Sequence, residues 1–165
     1  MDKFTRALDY QFNRLYLDWR AVAEAVPAEL IYLRRSSESP IFSMRSCGEE
    51  IVRSAGIVEQ TFGGLTTNLW DDPFEWTLPE SLQTTARILE YLAEVETTRN
   101  RGFALFKTDD DLLKEIVAPS GSTQLLSLLM DTLIRAGHHQ ANARELSRQI
   151  QAGRPGTNAL FAGEL

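Results

Sequence analysis

An all-α four-helix bundle is the fold class this sequence predicts, and three observations predict it. Four long stretches repeat apolar residues at spacings of three and four. No run shows the strict alternation of a half-buried strand. Turn-forming residues punctuate the chain at Pro27, at Asp71-Asp72-Pro73 and at Pro119-Ser120-Gly121. At 165 residues the chain has room for one domain with a sizeable core and little for two. The expected organisation is a single domain over 1–165, with the bundle in 1–152 and an irregular C-terminal arm in 153–165.

The first helix is expected over Asp2–Ala25, where Phe4, Leu8, Phe12, Leu15, Trp19, Val22 and Ala23 share one face. Pro27 ends it, because proline disfavours helical geometry in the residue before it. Ala28–Leu33 adds a turn or two, and Arg34–Pro40 is a polar loop that returns apolar at Ile41-Phe42. The second helix is expected at about Ser46–Leu69. Ser46 and Glu49 form a capping-box pattern, and Ile51, Ala55, Val58, Phe62 and Leu65 form the stripe. Gly56, Gly63 and Gly64 each weaken helix propensity by about 1 kcal/mol relative to alanine, which points to a kink or the close approach of another helix.

Trp70–Trp76 reads as an aromatic loop, with Trp70, Phe74 and Trp76 lining a pocket mouth, a dimer surface or one end of the bundle. Thr77-Leu78-Pro79-Glu80 opens the third helix with a second box and an early proline. Leu82, Ala86, Leu89, Leu92, Ala93 and Val95 carry it to about Phe106. A short extra helix is expected over Thr108–Ile116, before the last long one.

The fourth helix, Gln124–Gln151, has a stripe of Leu125, Leu128, Leu129, Leu133, Ala136, Ala143, Leu146 and Ile150. Arg135 and His139, an i, i+4 pair, fall on the side of Leu128 and Leu146. Polar groups on a core face cost free energy unless they meet partners. Either the bundle opens into a polar pocket there, or both side chains sit at the stripe's edge and reach solvent.

The formal net charge of −6 argues against a general nucleic-acid binder. Arginines gather locally at Arg34, Arg35, Arg45 and Arg53, so an anion-binding patch stays open. A single cysteine, Cys47, leaves no internal disulfide framework and makes a reducing compartment the default. No apolar run is long enough to span a membrane, and the first residues lack a signal-peptide core. The expectation is a cytoplasmic protein with neither membrane nor nucleic-acid partner. Cys47 sits in the first turn of the second helix, where it is either a thiol activated by the dipole or a buried packing residue.

Two segments together carry a resemblance. Ser46-Cys47-Gly48-Glu49-Glu50-Ile51-Val52-Arg53 and Gly137-His138-His139-Gln140-Ala141-Asn142 resemble the helix-start and last-helix motifs of the DinB-like superfamily of bacterial four-helix bundles. The order and lengths of the other elements are similar, the short helix before the last one included. The resemblance implies a three-histidine site for a divalent metal such as nickel or zinc. In several members that metal activates a low-molecular-weight thiol for transfer or isomerisation. It also implies a homodimer formed through helix faces.

The departures decide the reading. The family's first ligand position falls on Arg53 and its second on Arg135, so His139 alone is retained. Guanidinium offers a metal no lone pair and repels it. The expectation is therefore a degenerate metal site with no cofactor, no assignable catalytic residue, and Arg53, Arg135 and His139 as candidates to bind a small acidic molecule. Against this stand plain i, i+4 ion pairs, Glu49–Arg53 and Asp131–Arg135. His138, about 100° around the helix from His139, is expected at the surface or an interface. A metal-dependent thiol transferase or isomerase and a dimeric scaffold are the alternative functions.

Overall fold

The computed structural model of the chain describes residues 2–34, 45–71, 82–119 and 121–153. Four long helices dominate them: α1 (Lys3–Ala25), α2 (Cys47–Thr67), α3 (Thr85–Phe103) and α4 (Leu125–Ala152). The all-α expectation holds for all but one short hairpin.

Along α1 the periodic residues Leu8, Phe12, Leu15, Trp19, Val22 and Ala23 are buried. Phe4 is the exception, being largely exposed, and Thr5 takes the buried place beside it. The cause is tertiary: Asp109 accepts hydrogen bonds from Phe4 N (3.1 Å), Thr5 N (2.9 Å) and Thr5 Oγ1 (2.9 Å), fixing the first turn from outside. The helix stops at Val26, extended ahead of Pro27, and a single 3₁₀ turn follows at Ala28–Leu30.

The capping box at the start of α2 forms. Ser46 Oγ accepts from Glu49 N at 3.2 Å and Glu49 Oε2 accepts from Ser46 N at 2.7 Å. Beyond the left-handed cap Asn68 (φ 58°), the chain folds back so that the Trp70 indole covers Gly64. A loop side chain, not a second helix, uses that glycine. The close helix approach falls instead at Gly102 of α3, where a Cβ would overlap the Phe62 ring.

Two sequence expectations need correction in the second half. The Thr77-Leu78-Pro79-Glu80 box and Phe74 and Trp76 lie outside the described residues, and α3 begins at Thr85, with Thr84 Oγ1 accepting from Arg87 N at 3.3 Å. Leu82 is buried ahead of the helix, while Ala86 and Ala93 face solvent. The short helix expected over Thr108–Ile116 is a 3₁₀ turn, Asp109–Leu113, followed by a hairpin of β1 (Glu115–Ala118) and β2 (Gly121–Gln124). Ile116 pairs with Thr123 and Ala118 with Gly121. Gly121 supplies the turn with φ 113°. Gly121-Ser122-Thr123-Gln124 has no apolar residue to alternate, so the strand left no hydrophobic pattern to read.

The helices form two antiparallel relations around α2. Phe12 packs on Phe62 and Trp19 reaches Ser54, so α1 runs against α2. Cys47 meets Ala143 and Thr61 meets Thr132, so α4 runs against α2 as well. Tyr32, seated on Gly48 at the start of α2, hydrogen-bonds the Leu82 carbonyl; α3 therefore begins where α2 begins. The result is an up-down-down-up bundle in which α2 packs mainly on α4 and α3, and α1 on α3 and α4. Phe12, Phe62, Phe103 and Phe106 form an aromatic core toward the lower end, with centroids 5.1–5.7 Å apart. The expected C-terminal arm beyond Gly153 lies outside the described residues.

Candidate functional site

The α2–α4 contact is a ladder of small and polar groups. Cys47 Sγ donates to the Ala143 carbonyl at 3.4 Å, Ser54 Oγ donates to the Ala136 carbonyl at 2.6 Å, and Thr61 and Thr132 share a hydrogen bond of 2.8 Å. Trp19 Nε1 donates to Ser54 Oγ at 2.8 Å and ties α1 into the same level. Small side chains at these steps bring the helices close, and each buried hydroxyl finds an acceptor.

One rung is ionisable on both sides. His139 Nδ1 lies 2.6 Å from Glu50 Oε2. The Glu50 side chain is only 6% exposed and that of His139 21% exposed. The other carboxylate oxygen, Oε1, is 3.6 Å from an Arg45 guanidinium nitrogen at the mouth of the interface. Glu50 reaches this position because it is three residues after Cys47 and four before Ser54, on the inward face of α2.

The two arginine candidates stand outside this pair. Arg53 follows Glu50 by three residues and is exposed. Arg135 precedes His139 by one turn, is about half exposed and meets Asp131 at 3.5 Å. Helical spacing puts both on the flank of the α2–α4 contact that carries Glu50 and His139. The alternatives left open by the sequence are thus resolved differently for the two residues of α4. Arg135 sits at the stripe's edge in solvent; His139 turns inward to a carboxylate. The Asp131–Arg135 pair forms. Glu49 instead engages Arg34 and its own capping box. Partial burial works against its charge, but hydrogen bonds from Arg34 and Ser46 outweigh that and hold its carboxyl below the ordinary value.

Cys47 is buried, and burial, seconded by the nearby Glu50 charge, pushes its thiol up from 9.0 to about 12. The helix dipole does not overcome desolvation here, so Cys47 is a packing residue rather than an activated nucleophile. His138 is exposed, its ring 5.8 Å from that of His139 and inclined by 73°. Glu50 is the candidate residue that sequence reasoning missed. Its signal was present, a carboxylate at an inward position of α2, but only the facing helix shows what it meets.

The donor set does not fit a divalent cation. Of the three residues that the resemblance points to, Arg53 and Arg135 carry guanidinium groups, and no cluster of three or more His, Cys, Asp or Glu side chains is placed to hold a metal among the described residues. A separate groove opens between α1 and α4, lined by Gln11, Arg14, Leu15, Asp18, Leu133 and Ile134. Its acid, Asp18, is committed to Arg144, so little chemistry converges there. No family model matches the chain, and neither does any curated protein sequence.

Proposed function

We propose that this chain is a DinB-like bundle in which the three-histidine metal site has been replaced by a cationic flank that binds a small acidic molecule. The observation that carries the reading is the His139–Glu50 pair, with Arg45 3.6 Å from the same carboxylate; helical spacing sets Arg53 and Arg135 on the same flank. Guanidinium groups present planar forks suited to carboxylate and phosphate. The buried Glu50 carboxylate and the exposed Asp131 offset part of this charge.

The test is ligand-induced stabilisation. Inorganic phosphate or a dicarboxylate is expected to raise the melting temperature in a saturable way, and the double variant Arg53→Ala, Arg135→Ala to abolish the rise. Purified tag-free protein is expected to hold no stoichiometric nickel or zinc. Near-stoichiometric metal that disappears in His139→Ala would restore the thiol-transferase reading and sink this one.

Dimerisation is a second reading with its own support. α1 exposes Tyr10 and Leu17, seven residues apart, and α4 exposes Met130 and Ile134. Single apolar residues at a surface are ordinary, but two such helical pairs offer a face for a second copy. Sedimentation of the wild type against Leu17→Glu and Ile134→Glu separates a homodimer from a monomer.

A further inference from the structure

The two ring nitrogens of His139 have different surroundings. Nδ1 faces the Glu50 carboxylate at 2.6 Å. Nε2 has no hydrogen-bond partner among the described residues, while 21% of the side chain stays open. A carboxylate accepts and does not donate. In the neutral ring the proton therefore belongs on Nδ1, and Nε2 is left with an outward lone pair.

We infer that Glu50 holds His139 as an outward-facing hydrogen-bond acceptor, so that the flank takes oxyanions carrying a hydroxyl proton of their own, hydrogen phosphate being the simplest. The inference rests on the anion-binding reading above and narrows it. Arginines only donate, so Arg45, Arg53 and Arg135 satisfy the charged oxygens of any oxyanion but accept no proton from it. His139 Nε2 is the acceptor that completes the set. Sulfate at neutral pH has no proton and sets lone pair against lone pair at that position. A site built to pair one hydrogen-bonding group rejects the analogue that lacks it more strongly than an apolar pocket can. Glu50 acts here as a positioning residue and does not touch the ligand.

The experiment has two parts. Imidazole ¹⁵N shifts are recorded at the pH of the anion titrations; the sequence has only two histidines, and His138→Gln assigns them. His139 is expected as the Nδ1–H tautomer. Phosphate and sulfate are then titrated at matched ionic strength into wild type, Glu50→Gln and the double arginine variant. Phosphate is expected to bind at least about tenfold more tightly than sulfate, or about 1.4 kcal/mol. Glu50→Gln should erase that preference, and the arginine variant should erase binding of both. Equal binding of the two anions overturns this inference and leaves the anion site standing. An Nε2–H tautomer in the wild type overturns it also, with no dependence on how the Glu50 variant folds. Binding of neither anion overturns the parent reading as well.

Discussion

Glu50 and His139 face one another across the α2–α4 interface at 2.6 Å, eighty-nine residues apart in sequence, with the carboxylate almost wholly withdrawn from water. A buried charged acceptor is tolerated when hydrogen-bonded and costly when orphaned. That makes the pair a structural commitment. Removing His139 leaves Glu50 to the more distant Arg45 alone, so His139→Ala is expected to destabilise by about 1–3 kcal/mol in urea unfolding. In a double-mutant cycle with Glu50→Gln, the two changes should be non-additive by about 0.5–3 kcal/mol. Additive effects would mean the pair contributes nothing as a pair.

Cys47 supplies a pH dependence with a definite sign. Its thiol is raised in the folded protein to about 12 from an ordinary 9.0, chiefly by burial. A raised pKa gives stability that is fully present below the unfolded value and lost as pH climbs toward the folded one. Stability should therefore fall above about pH 9 through this group, and Cys47→Ala should flatten that alkaline limb. Thiol-labelling kinetics give an independent reading: native Cys47 should react only as fast as the fold opens.

Arg99 is the buried cation of the α1–α3 contact. Its side chain is 5% exposed, with Nε 2.8 Å from one Glu96 oxygen, one terminal nitrogen 2.7 Å from the other and the second engaging Asp9. Burial disfavours its charge, but Glu96 and Asp9 outweigh that and raise its pKa. Arg99→Ala strands two carboxylates and should cost about 3 kcal/mol. Arg99→Lys, which lacks the fork, should recover less than half of that loss. Full rescue by lysine would show that charge alone matters here.

Gly102→Ala tests the helix approach. Alanine would gain about 1 kcal/mol of helix propensity, yet its Cβ would overlap the Phe62 ring at the centre of the aromatic core. Overpacking of this kind costs about 1–3 kcal/mol, so a net loss is expected in equilibrium unfolding. Gly137→Ala is the control, because nothing lies within 4 Å of its added Cβ; there the propensity gain should appear unopposed.

Local pattern by itself determined much of this protein. The 3.6-residue periodicity of α1, the capping box of Ser46 and Glu49, and the stop at Pro27 depend on neighbours a few residues away, and each appears where the sequence puts it. Charge, length and the arginines at positions 53 and 135 likewise framed the candidate flank without reference to any distant contact.

Tertiary structure alone decided the remainder, because the deciding partners are far apart in the chain. Nothing local tells that Asp109 caps α1 from more than a hundred residues away, or that Trp70 rather than a helix fills the space at Gly64. Thr132, Gln140 and Ser147 look polar on a wheel, yet they line the buried face of α4. For Thr132 the reason is visible in its hydrogen bonds to Thr61 and the Leu128 carbonyl. Gln140 keeps both amide atoms buried, with no hydrogen-bond partner among the described residues. Arg135 and His139 are one turn apart and equally polar; only the carboxylate of Glu50 on the facing helix, offering a buried charge to one and not the other, separates a solvent-edge arginine from an anchored imidazole.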